Sequence, residues 1–248
     1  MIDGQRILVF GASSAICSEV LKLFAPNEAT FYLVARDENK LAAQIDDLKV
    51  RGGTVAGHEV YDFNQWEAHE AAVQRAVASL EKIDIVIIAH GTLPNQSECE
   101  TSPASMRACM EDNFSSAAII IGCCAAALAT AGSGTLVAIS SVAGDRGRKS
   151  NYAYGSAKAG IDALLQGLRA RLTASGINVV NIKPGMIKTP MTQDMNSGVL
   201  WSTPELIAPK IIRAMSKGSG VYYVPGYWRY IMFIIRALPN AVMAKLPI

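Results

Sequence analysis

Short apolar runs rich in β-branched residues alternate along this chain with longer segments whose apolar positions recur every three to four residues. Strand-like runs fall at 6–10, 30–35, 55–61, 83–89, 135–140, 178–183 and 220–224, and helical periodicity covers 15–24, 38–49, 65–80, 105–131, 152–173 and 204–215. The segment 105–131 reads equally as one long helix or two. Several strand runs are continuously apolar, Ile7-Leu8-Val9-Phe10 for example, as expected of strands covered on both faces. The alternation predicts an α/β fold: one doubly wound domain over 1–248, with a seven-stranded parallel sheet flanked by helices. Ligands of such folds bind beyond the carboxyl ends of the strands, so the loops that follow strands are where chemistry is expected.

Composition narrows the function classes. Half of the 248 residues are apolar and 18% are charged, a globular balance rather than a disordered one. The net charge of +2 supplies no concentrated basic field, so no nucleic-acid partner is expected. The stretch 113–144 has no charged residue, but Gly132-Ser133-Gly134 interrupts it. Its apolar part, 117–131, is shorter than the ~20 residues of a membrane span, and is read as a buried helix that also offers a subunit contact for a homodimer or homotetramer. Cys17, Cys99, Cys109, Cys123 and Cys124 show no CxxC spacing, so reduced thiols and no metal are expected. The N-terminal residues lack a charged segment leading into an apolar one, and a cytoplasmic protein is expected.

Two strand ends carry candidate chemistry. The first strand runs into Gly11-Ala12-Ser13-Ser14-Ala15-Ile16-Cys17, a turn of small residues whose following helix presents N–H groups and a favourable dipole to a phosphate. The fifth strand ends at Ser141, and Tyr154 and Lys158 follow in Tyr154-Gly155-Ser156-Ala157-Lys158. At i and i+4 on a helix these two side chains share a face and reach one ligand. Tyr152 has serine, not lysine, four residues on, and Ser140 is one position out of phase on its strand, so neither is chosen.

With these spacings the chain resembles the short-chain dehydrogenase/reductases over nearly its whole length. The resemblance implies a Rossmann-type fold that binds NAD(P)H and interconverts a carbonyl and its alcohol. Tyr154 is then the acid/base, Lys158 its electrostatic tuner and a ribose holder, Ser141 the donor to the carbonyl oxygen, and Asn113 the support of a water relay. A tyrosine needs such help, because its unperturbed pKa near 10 is too high for easy proton exchange at neutrality. The same resemblance places Gly11, Ser13, Ser14, Ala15, Ile16, Asp62, Ala89, Gly91, Pro184, Gly185, Ile187 and Thr189 along the cofactor. The chain departs from the family's GxxxGxG, with Ala15 and Cys17 at the later glycine positions, and has His90 within its Ala89-His90-Gly91. Ala35 at the end of the second strand cannot accept from ribose hydroxyls, whereas Arg36 suits a 2′-phosphate, so NADP(H) is favoured with NAD(H) as the alternative. Asp37 is expected to cap the next helix.

The substrate side is read from two basic segments. Arg146, Arg148 and Lys149 lie between Ser141 and Tyr154, within reach of a substrate phosphate. The tail 226–248 mixes aromatic, aliphatic and basic residues, which suits an interfacial helix at a membrane, a cover on the substrate pocket, or both. Together they resemble the decaprenylphosphoryl-2-keto-ribose reductases. That resemblance implies a keto-pentose on a polyprenyl phosphate, peripheral contact with the inner membrane face, and NADH as the nucleotide. Reduction of another lipid or small-molecule carbonyl, or a nucleotide sensor that has lost catalysis, are the alternatives.

Overall fold

The computed structural model describes residues 3–246. Its centre is a seven-stranded, wholly parallel sheet in the order β3-β2-β1-β4-β5-β6-β9. The strands are β1 (Arg6–Phe10), β2 (Thr30–Ala35), β3 (Thr54–Val60), β4 (Ile85–Ile88), β5 (Gly134–Ile139), β6 (Ile177–Pro184) and β9 (Gly220–Val224). The chain reverses its direction of travel across the sheet between β1 and β4, and this switch point opens the crevice in which ligands of doubly wound folds lie.

Side-chain alternation along the strands divides the core in two. Ile7 and Val9 face α1 (Ala15–Phe24), α2 (Glu38–Val50) and α8 (Pro204–Met215), and Leu8 and Phe10 face α3 (Ala68–Leu80), α6 (Ser116–Ala131) and α7 (Tyr152–Leu172). The expected helices 15–24 and 204–215 are observed with those bounds. Asp37 caps α2 as expected, its carboxylate accepting from Lys40 N at 3.0 Å. Near-continuous apolar strands are explained by this double coverage.

Four features add detail to the expectation. A short helix, α4 (Gln96–Thr101), precedes the long one and is capped by the Asn95 side chain. The helical run Pro103–Ala131 comprises α5 (Pro103–Met110), a π-helical turn at Glu111–Ser115, and α6. At 29 residues it is long and apolar enough to cross a membrane by length and composition. It is not wholly buried: Ile120, Ile121, Cys124 and Leu128 pack on the sheet, while Gly122, Ala126 and Ala129 face outward. A two-stranded pair, β7 (Met186–Ile187) with β8 (Trp201–Ser202), follows β6. The tail forms α9 (Trp228–Ala237) and α10 (Asn240–Met243).

Helix α9 packs over the carboxyl end of the sheet. Trp228 and Met232 are buried against Val142, in the loop that follows Ser141. The Trp228 indole lies so close to Gly185 that a Cβ there would sit 1.8 Å from Nε1. Arg146 secures the tail by donating to Leu238 O (3.1 Å) and Asn240 Oδ1 (2.5 Å). Behind this wall a buried charge cluster joins three elements: Lys183 of β6 pairs with Asp145 and, at 2.7 Å, with Asp162 of α7.

Candidate active site

The cofactor side of the crevice is built around two glycines. Gly11 ends β1 with φ +84°, and a Cβ there would lie 2.6 Å from the backbone N of His90, so only glycine allows β1 and β4 to end side by side. Gly91 has φ +152°, and a Cβ would meet Asn113 Oδ1 at 2.8 Å and Lys158 Nζ at 3.3 Å. Ser14 is the N-cap of α1 and its side chain makes no cap bond, which leaves the first-turn N–H groups for a ligand. Ala15 lines the crevice, whereas Cys17 is fully buried in the core beneath it. The missing glycine at 17 therefore does not obstruct the phosphate side.

One cavity runs past Gly11, Ser13, Ser14, Ala15 and Ile16 to Arg36, Phe63 and Ala89. A second shares Ser14, Ile16, Ala89, His90, Gly91 and Thr189 with it and continues to Ser141, Tyr154, Lys158, Pro184, Gly185 and Ile187. The two form one cleft across the switch point. Arg36 is exposed at its rim and forms no ion pair with any described residue. His90 Nδ1 is buried without a partner, while Nε2 meets Ser116 Oγ at 3.1 Å. Burial, reinforced by Lys158 and Arg36, pulls the His90 pKa down to about 3, so this imidazole is neutral. An uncapped helix N-terminus, a free cation at the rim and close-approach glycines fit a dinucleotide.

At the other end, Ser141, Tyr154 and Lys158 converge as expected. Ser141 is in extended conformation at the end of β5, its Oγ accepting from Ala143 N at 3.1 Å. Burial pushes the Tyr154 phenol up to about 12, against a hydrogen bond with Ser141 that lowers it. Lys158 Nζ lies 5.5 Å from the Tyr154 ring centroid. Burial draws Lys158 down to about 8, opposed by the Asp162 carboxylate. Asn113 is fully buried in the π-helical turn, with Oδ1 accepting from Thr92 N (3.0 Å) and Nδ2 donating to Cys109 O (3.0 Å). Its amide is thus held beside Gly91 and Lys158; π-turns recur at functional sites because they re-aim one residue of a helix.

Three expected site residues lie elsewhere. Asp62 is exposed, accepts from Asn64 N at 3.0 Å and lines neither cavity; its neighbour Phe63 lines the cofactor side instead. Arg146 is occupied by the tail, and Lys149 is exposed and outside the cavity wall. Of the three loop cations only Arg148 enters the cavity that holds Tyr154. Sequence reading missed Leu93, Asn151, Met186, Met191 and Met195, which line the same cavity. The methionines carry no positional signal, whereas Asn151, just ahead of a helix, was legible as a terminus residue.

The family model described as short chain dehydrogenase matches residues 5–199. The chain belongs to the short-chain dehydrogenase family. It is accordingly an oxidoreductase, and its fold is the family's. An uncharacterized oxidoreductase of Mycobacterium tuberculosis is 34% identical over 241 residues, covering 97% of this chain and 96% of that one. Among solved structures, a dehydrogenase from Burkholderia cenocepacia with bound NADP superposes with a TM-score of 0.79 at 18% identity, covering 90% and 92% of the two chains. A short chain dehydrogenase from Mycobacterium paratuberculosis bound to NAD gives 0.75 at 18% identity, covering 85% and 90%. These structural likenesses concern the fold. Short-chain dehydrogenases of this architecture hold either nucleotide, so the choice between them depends on this chain's own residues.

Proposed function

We propose that this short-chain dehydrogenase works as a single domain that reduces a ketone to a secondary alcohol with NADPH. The observation that carries the reading is the convergence of Ser141, Tyr154 and Lys158 in one cleft with Gly91 and the N-terminus of α1. Bound NADPH supplies the hydride. Ser141 Oγ donates to the carbonyl oxygen and stabilises the charge that develops there. Tyr154 gives that oxygen its proton. Lys158 lies near the ring as a cation, which favours the phenolate left behind, and its ammonium holds the nicotinamide ribose. Asn113 fixes the helix turn beside Lys158. Arg36 supports NADPH over NADH by offering a fork of donors to a 2′-phosphate.

A 2-keto-pentose carried on a polyprenyl phosphate is the substrate we favour. Arg148 in the cavity suits an oxoanion, and α9 exposes Tyr230 (72%), Phe233 (74%) and Ile234 (61%) beside Arg229 and Arg236, as a helix lying on an inner membrane face would. The outward small residues of α6 suit a homodimer contact. A lipid-like ketone is the second reading, favoured by Met186, Met191 and Met195 in the cavity wall.

Incubating the purified protein with NADPH or NADH and a panel of keto-lipids and simple ketones tests this. Reduced nucleotide should be consumed, and Tyr154→Phe should lower kcat by ~100-fold or more while nucleotide still binds. Absence of turnover with every ketone refutes the ketone-reductase reading.

A further inference from the structure

Arg148 is 9% exposed, and its guanidinium forms no hydrogen bond or ion pair with any described residue; Nε is sealed from solvent without a partner. A guanidinium stays ionised when buried, and an unpaired buried charge is costly. Neighbouring charges are already committed. Arg146 binds the tail, and Asp145, the carboxylate whose field reaches Arg148, is held by Lys183 and by the Tyr223 hydroxyl at 2.7 Å. The cation thus lacks a protein anion.

A second orphan lies next to it. Asn151 N donates to Arg148 O at 3.1 Å, which closes a turn that carries both side chains. Asn151 Oδ1 is buried and accepts from nothing. Both residues line the cavity that contains Ser141 and Tyr154, whose wall also includes the apolar Leu93, Val142 and Met186. One unpaired fork of donors and one unpaired acceptor, carried on a single turn of that wall, define what a ligand has to bring there.

We propose that Arg148 is the anion anchor of the substrate: the ketone presented to Ser141 and Tyr154 carries a phosphate or a carboxylate that Arg148 binds, and a hydroxyl that donates to Asn151 Oδ1. This rests on the carbonyl-reductase reading and deepens it. Arg148 is a specificity residue and takes no part in proton or hydride transfer. Phosphate and carboxylate share the geometry that a planar guanidinium meets with two parallel N–H bonds.

The test is calorimetric and so does not depend on turnover. A ketopentose phosphate, the uncharged ketopentose and a 2-keto carboxylate are titrated into the protein loaded with NADP+. The wild type should bind at least one anionic probe about 10- to 100-fold more tightly than the neutral sugar, the range expected of a charge-assisted bond. A stronger response to the phosphate assigns a phosphorylated substrate, and one to the carboxylate a keto acid. Arg148→Leu should abolish the preference, Arg148→Lys should restore part of it, and Asn151→Ala should weaken both sugars alike. NADPH fluorescence titration reports whether each variant is folded. Equal binding of charged and neutral probes, or an unchanged preference in Arg148→Leu, overturns the proposal. Failure of nucleotide consumption in the separate turnover assay bears on the reductase reading instead.

Discussion

Replacing Lys183 with methionine leaves two buried carboxylates facing each other without their cation. Lys183 is nearly buried, and the Asp145 and Asp162 side chains are 2% and 16% exposed. Burial works against the lysine charge, but Asp162 and Asp145 outweigh it and hold its pKa above the ordinary value. Removing one member of a buried ionic cluster costs about 3–5 kcal/mol. Some compensation remains, since Ser140 and Asn181 donate to Asp162 at 2.7 and 2.8 Å, which favours the lower half of that range. An unfolding entropy of roughly 2 cal/mol/K per residue converts it to a fall in Tm of about 6–8 °C. Thermal melts followed by circular dichroism measure this. A lysine pKa raised by folding gives stability that is complete below the unfolded value and lost as pH rises through the folded one. The deficit should therefore be constant between about pH 6 and 9 and shrink only above about 10.5. Adding Asp145→Asn and Asp162→Asn should recover much of the loss if charge, not packing, is responsible. A Tm within about 3 °C of the wild type for Lys183→Met would show that the cluster contributes little.

Two further outcomes concern the cleft. Lys158, drawn down to about 8 in the free site, is charged below that pH and neutral above it, so kcat/KM for NADPH should fall as pH rises beyond about 8. A profile level to pH 10 would contradict its role in holding the ribose. Arg36→Ala should weaken NADPH by about 10- to 100-fold, the worth of a charge-assisted pair, and NADH by far less; equal effects in side-by-side fluorescence titrations would remove the 2′-phosphate assignment.

Periodicity alone located all seven strands of the main sheet, because strands covered on both faces have little choice of composition. The Ser141, Tyr154 and Lys158 spacing was similarly legible, since a strand end and one helical turn fix their relation locally. Arg146, Arg148 and Lys149 were indistinguishable in sequence for the opposite reason. Their directions are decided by a tail that returns some ninety residues later and takes Arg146 for itself. Cys17 shows the same limit, for a lost glycine reads alike in sequence whether its side chain faces the phosphates or, as here, the core. Asp62 is held away from the cleft by accepting from Asn64 N in the turn after β3, and Phe63 takes the lining position. The pair β7 and β8, two residues each, is too short for any period to register.

The contact between Gly185 and Trp228 links positions that drift would otherwise treat separately. An indole that fills the space of a missing Cβ permits no larger residue at 185 while it stays, and its removal would expose the backbone beside the cavity that holds Tyr154. Across homologues the two positions should therefore change together, a bulky residue at 228 accompanying glycine at 185 and a small one tolerating alanine. The far end of the chain would then carry a record of selection on the hydride-transfer site, readable from sequences alone.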